Sequence, residues 1–300
     1  MTRTQTGKRV TLTPRDLEIF KILERYRYLR STYLHTFVGG ASETRFKERL
    51  GDLYHEGGYL DRPSQQWQFV NARYMPLVYE NAEAARKVLR QNGCGVEGAR
   101  RGDGENHQFA HTLMICEILA SIELGTRGGL SLRFVPWLEI LAKVPELART
   151  ASHPLRIPSA GGNDAYLVPD AVFGLEYLTN GRKTYRFFAL EADRGTMPVI
   201  RSSPEQSSYR RKLLAYREII GQHVHRTHLG IPNLLVLTTT VSDAHKARMM
   251  SAVKTLTGTG STVFLFKTIG AETITTPQPS LLTETWERVG HSPLSLAMPE

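Results

Sequence analysis

The sequence predicts an α+β chain of two folded domains, and three observations carry that prediction. Residues 13–90 read as three short amphipathic helices, a hairpin and a fourth helix. Residues 168–196 read as two apolar strands flanking Thr179-Asn180-Gly181-Arg182-Lys183, and Asn-Gly is the strongest short hairpin signal. Beyond that hairpin, helical and strand patterns alternate up to residue 267, as expected of a mixed sheet with helices on its faces. With 300 residues, each domain has enough chain to bury its own core.

The first domain is expected over residues 10–92. Thr13-Pro14-Arg15-Asp16 starts a helix: Thr13 caps it, Pro14 fits the first helical position, and Asp16 completes an acidic capping box. Ile19, Ile22, Leu23 and Tyr26 then share one face. A second helix is expected over 31–37, ended by Val38-Gly39-Gly40. Ser42 caps a third, where Phe46, Leu50, Leu53 and Tyr54 keep the spacing of a buried stripe and Arg45, Lys47, Arg49 and His55 lie outward. Residues 59–60 and 67–70 are expected as strands about a polar tip at 61–66, followed by a helix at 82–90. Helix, helix, helix, hairpin is the order of a winged helix-turn-helix, whose third helix enters the major groove. On that reading Arg45, Lys47 and Arg49 contact DNA from the helix, and Arg62 does so from the wing. The competing reading is a solvated amphipathic helix, since Glu43, Glu48 and Asp52 dilute the basic face.

Residues 93–106 are rich in glycine and charge and read as a linker. The second domain, expected over 107–275, opens on an apolar helix at 107–124. His107 and His111 stand four apart on it, but no Glu follows His107 and no third ligand is evident, so HEXXH chemistry is excluded. Glu117, on the same helix, is a candidate support for a second cation. A strand at 130–135 and a helix at 137–141 precede the central hairpin. After it comes a helix at about 204–221, with Tyr209, Lys212, Leu213 and Tyr216 on one face and Arg210, Arg211 and Arg217 forming a basic surface. A strand at 234–238, a helix at 243–256 and a strand at 263–267 complete the domain. Residues 276–300 read as a Pro-rich tail containing a short helix at 281–289 whose Trp286 docks on the body.

The hairpin carries the chemistry. Along its second strand Phe188, Leu190 and Ala192 point to one face, while Phe187, Ala189, Glu191 and Asp193 point to the other. Asp170, just inside the partner strand after Pro169, comes within reach if the strands pair near this register. Three carboxylates meeting on an apolar sheet repel one another, and a hard divalent cation held by oxygen ligands relieves that repulsion. The plainer reading is that these acids are solvated or paired with Arg186 or Arg194.

Composition bounds the partners. The chain carries 38 Lys and Arg against 29 Asp and Glu, a formal charge of +9 that favours an acidic partner, nucleic acid first. Residues 1–100 hold seventeen of those cations against eleven acids, so +6 of the excess lies there. Only Cys94 and Cys116 are present, which excludes a disulfide framework and a cysteine zinc site and fits a reducing cytoplasm. No apolar run reaches the expected length of a bilayer span, and the basic N-terminus leads into no signal core, so a cytoplasmic protein with no membrane partner is expected.

Pro169-Asp170, a hairpin, then Glu191-Ala192-Asp193 resembles the signature of the PD-(D/E)XK nuclease superfamily. More narrowly, the chain resembles the replication-relaxation family of plasmid and mobile-element proteins, through Asp170, Glu191, Asp193, Arg194, Gly195, Thr196, Lys212 and Tyr216. The resemblance covers most of residues 10–270. It implies an N-terminal winged helix-turn-helix followed by an α/β restriction-endonuclease-like domain with a mixed central sheet. It also implies Asp170, Glu191, Asp193 and Lys212 as catalytic residues, with the first three holding Mg²⁺ or Mn²⁺ if the protein is catalytic and no cofactor otherwise. Arg210 and Arg211 join the DNA-binding residues, while Glu117, Arg194 and Tyr216 give support; Arg194 is expected to pair with a neighbouring carboxylate. The signature wants Lys where this chain has Asp193, so either Lys212 supplies the cation or the domain has lost cleavage. The expected function is thus a double-stranded-DNA-binding protein of plasmid or mobile-element replication, relaxation or transfer that cleaves phosphodiesters with metal. The alternative is a non-catalytic regulator or relaxosome accessory factor whose second domain only dimerises or grips DNA. A homodimer and relaxase or replication proteins are the expected protein partners; a third reading is an RNA-processing nuclease.

Overall fold

A computed structural model describes residues 3–40, 42–94, 106–129, 131–146, 155–159, 166–195, 199, 209–270 and 273–299, with the side chains of 106–108 left aside. The linker at 95–105, the His107 side chain, Thr196 and the expected helix start at 204–208 lie outside the described residues. The chain divides into two compact units, residues 1–124 with 272–278, and residues 125–271 with 279–300.

In the first unit the helices are α1 (Pro14–Tyr26), α2 (Ser31–Val38), α3 (Glu43–His55) and α4 (Glu83–Gln91), with most of α5 (Asn106–Thr126). The Thr13 cap and its Asp16 box form as expected, and Ser42 caps α3 through the Arg45 N–H. Three short strands, β1 (Leu29–Arg30), β2 (Leu60–Asp61) and β3 (Val78–Asn81), make an antiparallel sheet in the order β1-β3-β2. Ile19, Phe20, Leu23, Tyr33, Leu34, Leu50 and Leu53 are buried.

Three expectations are corrected in this unit. The strand pairing with β2 is Val78–Asn81, not residues 67–70, which lie partly in a 3₁₀ turn at Ser64–Gln68. Buried Gln66 explains the change: its amide donates to the Pro63 and Val78 carbonyls and accepts the Val78 N–H, so it staples the start of β3 to the turn. Secondly, the division of the chain falls at Leu124, so the apolar helix expected to open the second domain packs with the first. Finally, Phe109–Thr126 of α5 is long and apolar enough to cross a membrane by length and composition; 67% of it is buried inside the protein, as befits a core helix.

The second unit is built on a seven-stranded mixed sheet. Its strands are β4 (Leu132–Val135), β7 (Ala171–Thr179), β8 (Arg182–Ala192), β9 (Leu235–Thr240), β10 (Phe264–Thr268), β11 (Thr285–Arg288) and β12 (His291–Ser295), in the order β12-β11-β10-β9-β8-β7-β4. A separate small ribbon pairs β5 (Ile157–Pro158) with β6 (Tyr166–Leu167). The β8–β9 and β9–β10 pairs are parallel and the rest antiparallel. Parallel neighbours need crossovers, and these supply α7 (Tyr209–Gly221), α8 (Val224–Leu229) and α9 (Asp243–Thr257). All three helices pack on one sheet face through Leu213, Ile219, Leu229, Met249 and Val253 against Val172, Phe187, Ala189, Val236 and Phe264. Two short helices, α6 (Trp137–Leu141) and α10 (Ser280–Thr283), complete the unit.

The Pro-rich tail is also corrected. Only residues 280–283 are helical; β11 and β12 extend the sheet antiparallel to β10, and Trp286 is fully buried with its indole N–H on the Leu281 carbonyl. Pro293 is tolerated because β12 is an edge strand. Gly290 (φ 74°) turns the hairpin where a side chain would collide with the Thr259 carbonyl, and Gly260 (φ 124°) meets Val289 in the same way. The tail is therefore locked against the α9–β10 loop.

Candidate functional site

The hairpin forms in the register its sequence requires. Asn180 (φ 50°) and Gly181 (φ 74°) both take positive φ, the condition for a two-residue type I′ turn, and Thr179 pairs with Arg182. The ladder runs to Ala171 opposite Leu190, so one step further sets Asp170 opposite Glu191, both on the side covered by α7. Asp170 accepts the Ala192 N–H at 2.8 Å.

Helix α7 completes the cluster. Lys212 and Tyr216 lie four apart on its inner side, so both reach Glu191. The Lys212 ammonium pairs with Glu191 Oε2 and stands 4.0 Å from Asp170 Oδ1. The Tyr216 hydroxyl donates to Glu191 Oε1 at 2.5 Å. One turn earlier, the Tyr209 hydroxyl bonds Thr238 Oγ1 at 3.1 Å, and Thr238 is the β9 neighbour of Glu191. Burial pushes the Glu191 carboxyl up to about 7 and the Asp170 charge adds to it, against the pull of Lys212 and Tyr216. Burial also disfavours the Lys212 charge, but Glu191 and Asp170 outweigh it and raise its pKa. The two partners disagree about the Glu191 proton. With an ammonium and a phenol both donating to it, the carboxylate form suits the geometry above neutrality.

Asp193 belongs to a second pair. Its Oδ2 lies 2.6 Å from His245 Nε2, and its Oδ1 accepts the Gly195 N–H at 3.0 Å. Arg248, which can only donate, sits 3.2 Å from His245 Nδ1, so Nε2 carries the imidazole proton and donates it to Asp193. Among the described residues no group of three or more His, Cys, Asp or Glu side chains is placed to hold a metal ion. As placed, these side chains do not fit a divalent cation: the Lys212 ammonium takes the Glu191 oxygen such an ion would share, and His245 takes Asp193.

The other site residues fall into two classes. Arg45 is exposed on α3, while Lys47 pairs with Glu43 at 2.8 Å. Arg49 and Arg62, expected on DNA, are structural. Arg49 forks onto Asp16 at 2.6 and 3.0 Å, because the fully buried capping-box carboxylate needs a counter-charge. The Arg62 guanidinium lies 4.2 Å from the Tyr54 ring centroid and 5.1 Å from that of Tyr79, and donates to the Tyr79 hydroxyl. Glu117, expected beside the second domain's carboxylates, is instead buried in the first unit on Arg30 at 2.8 Å, and burial pushes it up to about 8. Arg194 is exposed with no carboxylate partner among the described residues, which corrects its expected pairing. Arg210 and Arg211 are exposed at the start of α7.

Arg73 and Tyr74 were not singled out by the sequence. Both are exposed, Tyr74 by 90%, in the 3₁₀ turn Ala72–Tyr74 that Asn71 opens with φ 59°. The available signal was Pro76 just before an apolar run, which leaves 62–77 as one long connection between β2 and β3.

A family model described as replication-relaxation matches residues 20–235, more than half of the chain. No curated protein matches it. No solved structure matches it.

Proposed function

The chain belongs to the replication-relaxation family, and from that membership we propose that it is a DNA-binding protein acting in the replication or relaxation of plasmid or mobile-element DNA. On this reading the first unit is a winged helix, with α3 as the recognition helix and residues 62–77 as the wing. One observation carries the reading: α3 and the wing turn Arg45, Arg73 and Tyr74 outward from a base held by buried Gln66 and Arg30. Arginine suits phosphate and base edges, and an exposed tyrosine suits sugar or base faces. The second unit grips DNA without cutting it, which is supported by the pairing of Glu191 with Lys212.

A second reading, phosphodiester cleavage with Mg²⁺ or Mn²⁺, draws on the convergence of Asp170, Glu191 and Lys212 on one face of the sheet. A polarisation titration on duplex DNA tests the first reading. Arg45→Ala with Arg73→Ala weakens binding and lowers the salt slope by about 0.9 per lost phosphate contact; unchanged affinity across the titration overturns it. Nicking of supercoiled plasmid with Mg²⁺, Mn²⁺ or EDTA separates the two. Intact plasmid throughout supports gripping, whereas metal-dependent nicking lost in both Asp170→Ala and Glu191→Ala supports cleavage.

A further inference from the structure

The helical layer of the second unit differs in charge from the rest of the protein. Residues 209–257, which span α7, α8 and α9, contain eight Lys and Arg against two Asp and Glu, a balance of +6 within a chain of +9. Two of the eight point inward or sideways: Lys212 to Glu191, and Lys246 to Asp243 and Glu287. Arg210, Arg217, Arg226, Arg248 and Lys254 are exposed, and no carboxylate among the described residues pairs with any of them.

Elsewhere the protein neutralises its surface cations locally. Lys21 lies on Glu18, Lys47 on Glu43, Arg90 on Glu83, Arg133 on Glu139, Lys183 on Glu176 and Lys267 on Glu284. A solvated helix face typically carries such mixed pairs, and this layer does not. Its geometry is also ordered. On α7 Arg210, Leu214 and Arg217 keep i, i+4, i+7 spacing opposite the buried Tyr209, Leu213 and Tyr216. On α9 Arg248 and Lys254 are exposed with Ala247, Ser251 and Thr255 about them, small side chains that let a bulky backbone approach. Arg217 reaches across to the Leu256 carbonyl at 3.2 Å, tying the outer edge of α7 to the last turn of α9.

We infer that this outer helical surface is a second nucleic-acid-binding face, which takes the phosphate backbone of a duplex independently of α3 and the wing. The inference rests on the DNA-binding reading for its partner but not on the winged helix for its surface. Uniform positive charge without base-reading side chains implies sequence-independent, strongly salt-dependent contact.

The test uses the full-length chain and a random-sequence duplex. Arg210→Gln, Arg248→Gln and Lys254→Gln are combined, leaving Arg217 and Arg226 in place because each bonds a backbone carbonyl. The expected result is a fall of about 2–3 in the slope of log affinity against log salt, near 0.9 for each cation removed. The thermal midpoint stays where it was, since exposed substitutions rarely move stability. The Arg45→Ala, Arg73→Ala protein is titrated alongside. If that variant loses affinity while the triple variant keeps the wild-type slope, the helical layer is merely solvated and the inference fails. If neither slope changes, the DNA reading fails with it. Anionic vesicles form a further arm: binding to them that is lost in the triple variant, with duplex binding unchanged, assigns the face to a membrane surface and overturns the inference.

Discussion

Asp16 in the first unit and Glu191 in the second are both buried acids facing a basic side chain, yet their environments drive them in opposite directions. Asp16 is opposed by burial but receives the Arg49 fork together with the Thr13 N–H and hydroxyl, and its carboxyl is held below the usual range. Glu191 has one ammonium and one phenol, and the neighbouring Asp170 charge repels it. Donor number and a like charge, rather than depth alone, separate a structural anion from a carboxyl poised near neutrality. The first arrangement stabilises a helix start. The second stores a charge conflict on the sheet face that α7 covers.

The largest effect should come from Lys212→Met, which leaves Glu191 buried without its cation. Removing one partner of a buried pair costs about 3–5 kcal/mol, so the urea midpoint should fall sharply at high pH. The sign follows from the raised carboxyl. The folded state holds the Glu191 proton more tightly than the unfolded one, so its contribution to stability declines as pH rises from about 4.5 to about 7. Lys212→Met steepens that decline and Glu191→Gln abolishes it; equal losses at about pH 5 and about pH 8 would contradict the assignment.

Arg49→Ala should cost somewhat less, about 3 kcal/mol, because Asp16 keeps its Thr13 donors. Here the pH dependence is reversed. Asp16 contributes stability above its unfolded value of 3.8 and loses it as pH falls through the lowered folded one. Acid titration of wild type against Asp16→Asn checks it, and a superimposable pair of curves would remove Asp16 from the account. The smallest effect is expected for Tyr216→Phe, about 1.5 kcal/mol for one hydrogen bond to a charged group. Chemical-shift titration of Glu191 in that variant should show its midpoint moving upward, since a donor to the carboxylate form is gone.

Much of the fold was legible because local rules wrote it. Thr13-Pro14-Arg15-Asp16 announces a capped helix without reference to anything distant. Residues 67–70 misled because an apolar run beside a turn satisfies the strand pattern, while the buried Gln66 amide that staples β3 leaves no periodic trace. The tail misled for a similar reason: its prolines suggest disorder, and only the free edge of β10 gives residues 285–288 a strand to pair with. At the candidate site, the Glu191–Lys212–Tyr216 grouping was readable from spacing, whereas the hold of His245 on Asp193 was not, being 52 residues distant in sequence.

Backbone chemistry along the chain settled the hairpin. Asn180-Gly181 accepts the two positive φ values of the turn, and strict alternation then sends Asp170 and Glu191 to the same side. Folding in three dimensions settled which charges remain for a partner. Arg45, Arg49 and Arg62 look alike in sequence, but Asp16 captures one and a pair of tyrosine rings captures another. A charge is neutralised by whatever packs beside it, and that neighbour usually comes from far along the chain, beyond the reach of any local pattern.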